Sequence, residues 1–275
     1  MKRFRHYAGL WGILASSFII FTAVSSFDSI SIGRHELKSS GLSQAIFGKA
    51  QTEDVQSAPV FENDTVSIVQ SCNPEPVPVD TAAQTILIIG DSMLEGLVPR
   101  LAAYSDHNGH KLYAAMWYSS TSAVWGRSRK LQRYIERLHP TFIIVSLGAN
   151  ELFVTDIRRK RERYVRNILD QIGEIPYLWI GPPNWKADTG INSLLRDATA
   201  DGCFFLSDGM QFRRAKDGAH PTRESAAEWV DSIMRWMPES AAHPILMDAP
   251  SEAKGRPVKL WVHQPDEKDI DPDLK

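Results

Sequence analysis

The sequence predicts an α/β domain whose parallel sheet is covered by helices on both faces, and two recurring patterns carry that expectation. Short continuous apolar runs return along residues 83–237, and helical patterns with one apolar face lie between them. A run that is apolar at nearly every position suits a strand buried on both sides. Thr85-Ile86-Leu87-Ile88-Ile89, ended by Gly90, is the first. Lys111–Trp117, Phe142–Leu147, Tyr177–Ile180 and Cys203–Leu206 bring the expected sheet to five strands. Between them Leu131, Tyr134, Ile135 and Leu138 share one helical face, as do Val165, Ile168, Leu169 and Ile172, and later Ala226, Val230, Ile233 and Met237. Strand–helix alternation at this spacing means parallel pairing with crossover helices. Reacting groups in such sheets sit beyond the carboxyl ends of the strands, so the residues just after each run matter most.

Composition narrows the class. The 275 residues carry 31 Lys and Arg against 33 Asp and Glu, a net charge of −2, which lacks the basic surplus of a general nucleic-acid binder. With 43% hydrophobic and 23% charged residues, the chain is neither wholly disordered, nor collagen-like, nor a polytopic membrane protein. Two cysteines make neither a disulfide scaffold nor a four-cysteine zinc site.

The chain ends read differently from the middle. Lys2, Arg3 and Arg5 precede a stretch from His6 to Phe27 without any Asp, Glu, Lys or Arg. A helix of about 20 such residues crosses a hydrocarbon core of about 30 Å, and its basic flank stays cytoplasmic. Residues 1–27 are therefore expected to be a membrane helix acting as a signal anchor. The competing reading is a cleaved signal peptide, with Ala23-Val24-Ser25 at the cleavage site. Either way the remainder is exported, anchored facing the periplasm or released to the periplasm or beyond. Residues 28–82, ending in Asn73-Pro74-Glu75-Pro76-Val77-Pro78, read as an extracytoplasmic linker. The 238–275 tail, with eight acids, five bases and several prolines, is expected to pack loosely except around Val258–Val262. In an oxidising compartment Cys72 and Cys203 could form a bridge; two separate thiols are the alternative.

Three strand ends carry chemistry. Gly90-Asp91-Ser92 follows the first run, Gly148-Ala149-Asn150-Glu151 the third, and Asp217-Gly218-Ala219-His220-Pro221 follows the fifth. Ester chemistry needs a hydroxyl nucleophile, a base for its proton, a carboxylate to orient the base, and donors for the oxyanion. Ser92, His220, Asp217 and Asn150 can fill these roles in that order. Ser92 also opens a helix, whose free N–H groups favour an anion. Singly, each motif reads as an ordinary cap or turn. Together, at successive strand ends, they point to catalysis.

Gly-Asp-Ser, Gly-x-Asn and Asp-x-x-His in this order resemble the SGNH hydrolases, also called GDSL esterases and lipases, over roughly residues 84–237. The resemblance implies a flavodoxin-like three-layer sandwich with a five-stranded parallel sheet. It implies Ser92 as nucleophile, His220 as base, Asp217 as its orienter, and an oxyanion hole from the Asn150 amide and the Ser92 backbone N–H. It also implies a further backbone donor after the second strand, usually a glycine. This chain has no glycine from Trp117 to Trp125, so Thr121 or Ser122 must take that place, with Thr121 the choice. Glu151 stands where Asp is commoner. No cofactor and no metal are needed, and His107 and His110 around Asn108-Gly109 read as a turn rather than a metal site.

Trp117, Tyr118, Trp125, Phe153 and Trp185 lie in or beside strand-end loops, where flat rings suit a sugar. The leading expectation is an extracytoplasmic esterase that removes O-acetyl groups from a carbohydrate or a small ester. An O-acetyltransferase working with a membrane-bound acyltransferase partner on a cell-envelope polysaccharide is the alternative. A non-catalytic glycan-binding module is the third. The run Arg158-Arg159-Lys160-Arg161, with Arg163 and Arg166, reads as a solvated helix face or an anionic-glycan contact.

Overall fold

In the computed structural model, residues 77–252 and 255–265 are described, together with the short strands β1 (Ser29–Ile32) and β2 (His35–Lys38). The expected membrane helix and Cys72 lie outside the described residues. β1 and β2 pair antiparallel, Ser29 opposite Lys38, inside the stretch read as linker. Among the described residues no helix is long and apolar enough to cross a membrane.

Six strands form the main sheet: β3 (Thr85–Gly90), β4 (Lys111–Trp117), β5 (Phe142–Ser146), β6 (Tyr177–Ile180), β7 (Phe204–Phe205) and β8 (Lys259–His263). Every pairing is parallel, in the order β7-β6-β5-β3-β4-β8. The first five follow the flavodoxin-like order. From β3 the chain steps to β4 on one side, then crosses back to β5 on the other. The topological switch point therefore lies between β3 and β5, the place where sheets of this kind bind their ligands.

Strand periodicity places the core. Successive side chains on a strand point to opposite faces, and β3 has no polar face to spare. Ile86 and Ile88 join Leu97, Leu101, Trp229 and Ile233 on the side of α1 (Leu94–His107) and α6 (Arg223–Ser240). Leu87 and Ile89 join residues of α2 (Ser122–Gly126), α3 (Lys130–Leu138), α4 (Ile157–Ile172) and α5 (Ile191–Ala198) on the other. All four β3 side chains are completely buried. Burying each is worth about 1.5–3 kcal/mol, so a polar replacement at any of them would damage both the strand and one helix layer.

The tail corrects two expectations. The sheet has six strands rather than five, and residues beyond 237 are part of the fold. Ala241, Ile245 and Met247 are buried, and Asp80 brackets this segment through bonds from its N–H to the Pro244 carbonyl and from Leu246 N–H to its own carbonyl. β8 pairs with β4, and Trp117 Nε1 donates to the Gln264 carbonyl at 2.8 Å. β8 falls on the Val258–Val262 stretch already exempted from the loose tail, but the surrounding prolines and acids hid that it joins the sheet, since an edge strand needs only one neighbour. His110 braces the tail: its Nδ1 accepts from Gln84 N–H at 3.0 Å, leaving Nε2–H for the Leu246 carbonyl at 2.6 Å.

Candidate active site

Ser92 sits where β3 breaks into α1, at the switch point. β3 and β5 approach so closely there that a Cβ on Gly90 would lie 2.3 Å from the Ser146 carbonyl oxygen, and only glycine fits. The Ser92 backbone N–H has no acceptor among the described residues, as befits the opening of a helix. Asn150 follows Gly148, whose φ of +123° belongs to glycine and whose Cβ would meet Pro182 at 3.1 Å. This glycine lets the chain turn sharply off β5 and present Asn150 beside Ser92's strand end.

The third element is a tight turn before α6. Ala215 N–H bonds to the His220 carbonyl, Gly218 N–H to the Ala215 carbonyl, and Thr222 N–H to the Arg213 carbonyl. Thr222 then caps α6 by accepting from Ser225 N–H at 3.3 Å. Arg214 fastens the turn to the loop after β6. Its guanidinium donates to the Ala219 carbonyl at 2.8 Å and to the Pro183 and Asn184 carbonyls at 3.1 and 2.8 Å.

These three pieces bring Ser92, His220 and Asp217 into one chain of hydrogen bonds. Ser92 Oγ lies 2.8 Å from His220 Nε2, and His220 Nδ1 lies 2.6 Å from Asp217 Oδ2. With Nδ1 carrying its proton toward the carboxylate, Nε2 is left to accept from the serine hydroxyl. Asp217 also accepts the backbone N–H groups of Ala219 and His220 at 2.9 and 3.0 Å. The Ala219 bond foremost, then the His220 ring and backbone bonds, hold its carboxyl down at about 2. The acid is thus ionised at any pH where an ester would be attacked. Its side chain is half exposed and that of His220 a third exposed, so the site is open to solvent.

Asn150 donates from Nδ2 to the Ser120 carbonyl at 2.9 Å and, over a long 3.4 Å, to Asp91 Oδ2. The short bond fixes the amide plane; the long one is weak enough to be redirected to a substrate oxygen. Thr121 is a correction. The Ser120–Thr121 peptide is trans, so its N–H points opposite to the Ser120 carbonyl, hence away from Asn150. The Thr121 side chain caps α2, its Oγ1 accepting from Val124 N–H at 3.3 Å. The residue with the backbone that glycine favours is Ser119, at φ +54°.

Two carboxylates named within these motifs, but given no role from sequence, lie behind the site. Asp91 is 1% exposed and accepts from Met93 N–H at 3.0 Å. Burial, reinforced by nearby Glu151 and opposed by the Met93 bond and His220, pushes its carboxyl up to about 7. Glu151 is fully buried and accepts from Ser122 N–H and Oγ at 2.9 and 2.8 Å and from Arg161 Nε at 2.6 Å. It ties the loop after β4 to the loop after β5. Its identity was legible; its partners were not, because Arg161 stood within a basic run. That run is largely paired: Arg158 with Asp197, Arg159 with Asp156, Arg166 with Glu162.

The aromatics divide. Trp117 and Trp125 are buried and packed edge to face at 5.6 Å, so they are core rather than ligand faces. Tyr118 is half-buried and donates to Glu95. Phe153 and Trp185 stay at the rim, 6.2 Å apart and nearly perpendicular. Cys203 is buried, and burial pushes its thiol pKa up; the expected partner Cys72 is outside the described residues. Among the described residues no cluster could hold a metal ion.

No protein-family model matches the chain, and no curated protein does. Among solved structures it is similar to the psychrotrophic esterase EstA from Pseudoalteromonas sp., with 23% identity over 55% of this chain and 97% of that one and a TM-score of 0.40. It is also similar to a Clostridium thermocellum family 3 carbohydrate esterase, with 16% identity over 57% and 100% and a TM-score of 0.39. At these scores neither likeness decides what this chain does.

Proposed function

We propose that the protein is a serine ester hydrolase of the SGNH type that removes O-acetyl groups from a carbohydrate. One observation carries the reading: the unbroken path from Ser92 Oγ through His220 to Asp217, with spacings of 2.8 and 2.6 Å. Ser92 attacks the acetyl carbonyl as His220 Nε2 takes its proton. Asp217 holds the imidazole in the required tautomer and offsets its positive charge. Ser92 N–H and the Asn150 amide receive the oxyanion. His220 then protonates the departing sugar oxygen, leaving acetyl-Ser92, and a water activated by the same imidazole releases acetate.

The openness of the site favours an acetyl group carried on a polymer over a long acyl chain, which needs extensive apolar surface to leave water. Exposed Phe153 and partly exposed Trp185 offer ring faces to a sugar. Action outside the cytoplasm belongs to the proposal through the basic-then-apolar N-terminus. Acetate release from p-nitrophenyl acetate and from O-acetylated oligosaccharides tests it. Loss of at least ~10³-fold in Ser92→Ala and in His220→Ala, with the double variant little worse, is expected. Undiminished hydrolysis in a folded Ser92→Ala would overturn it.

A further inference from the structure

We infer that the substrate of this site is an acidic sugar, and that Lys186 recognises its carboxylate from a ledge formed by Phe153 and Trp185. The inference rests on the esterase reading and adds the charge of the substrate to it. The 182–190 loop lies between the two halves of the site. Trp185 Nε1 donates to the carbonyl of Ala149, the neighbour of Asn150, at 2.8 Å. Arg214 ties the Asn184 carbonyl of the same loop to the Ala219 carbonyl, the neighbour of His220. Phe153 follows Asn150 by three residues and is 52% exposed. The ledge therefore borders the place where the ester must lie.

Lys186 is exposed, yet its ammonium is held: Nζ stands 4.6 Å from the Trp185 ring centroid and 5.0 Å from that of Phe153. No carboxylate pairs with it among the described residues. The acid of its own loop and those of the site have other partners. Asp188 accepts the N–H groups of Gly190, Ile191 and Asn192 at the start of α5. Asp208 accepts from Asn184, Glu95 from Tyr118, and Asp217 from His220. Ring faces beside a positioned cation with no acid of its own suit a pyranose that brings the acid. A single ammonium matches a monoanion, and a uronate carboxylate is one that a sugar ring carries itself.

The test compares initial acetate release from O-acetylated oligogalacturonate and from the same oligosaccharide with its carboxyls methyl-esterified. Sugar and acetyl are identical; only charge differs. Wild type should prefer the free acid about fivefold in kcat/KM at low salt, the scale of one exposed ion pair, mostly through KM. Raising the salt should shrink the preference. Lys186→Gln should abolish it, Lys186→Arg should keep it, and Lys186→Glu should invert it. Equal rates on both forms in wild type, or a preference that survives Lys186→Gln, would overturn the inference while leaving the esterase reading intact. No acetate from either form, nor from p-nitrophenyl acetate, would overturn both.

Discussion

Asp91 offers a stability prediction whose size follows from its surroundings. Its carboxyl lies at about 7 in the folded protein against 3.8 when unperturbed, with burial the leading cause. Between those values the native state holds a proton that the unfolded chain has released, so stability falls as pH rises. The contribution is complete below 3.8, declines across the interval and is gone above about 7. At about 1.4 kcal/mol for each pH unit, the interval amounts to about 4 kcal/mol. Asp91→Asn keeps an acceptor for Met93 N–H but removes the titration. Asp217 does not interfere, because its depressed carboxyl shifts stability only between 3.8 and about 2. Urea unfolding followed by tryptophan fluorescence from pH 4 to 8.5 gives the difference between wild type and variant. Wild type should lose about 4 kcal/mol relative to the variant between pH 4 and 8, with the curve flat thereafter. A difference independent of pH, or wild type gaining on the variant as pH rises, would refute the buried, proton-holding Asp91.

Asn150→Ala should cost ~10²–10³ in kcat with KM nearly unchanged, because its amide meets the oxyanion only after attack. An effect confined to KM in steady-state assays would make it a substrate-binding residue instead. Arg161→Ala should destabilise the fold by about 3–5 kcal/mol, since it strands the buried Glu151 carboxylate. Combining it with Glu151→Gln should recover part of that loss in chemical denaturation, whereas additive losses would deny the pairing.

The parts of the fold readable from sequence were those with a period. Continuous apolar runs such as 85–89 are buried on both faces, and the i, i+3, i+4, i+7 sets mark the inner faces of α3 and α4. β8 was marked only as an exception around Val258–Val262 and not as a strand, because it is short and its Leu260 and Val262 stay exposed at the sheet edge. Ser92 and Asn150 stood out because each follows a strand and a glycine turn, and Asp217 and His220 because they flank Gly218 just before α6. Arg214 was not, since its three acceptors are backbone carbonyls, which leave no trace in side-chain identity. Thr121 was misplaced for a related reason. Which way a peptide N–H points depends on backbone dihedrals, and the left-handed residue proved to be Ser119. Trp117 and Trp125 likewise carry the same residue type as a ligand platform, and only burial separates the two.

The most direct test of the central claim is covalent. An organophosphonate ester should phosphonylate the activated serine alone, and peptide mass spectrometry locates the adduct. The account predicts one adduct per chain, on Ser92, formed in step with loss of ester hydrolysis and abolished in His220→Ala. An adduct elsewhere, or Ser92 labelling as fast in His220→Ala as in wild type, would contradict it.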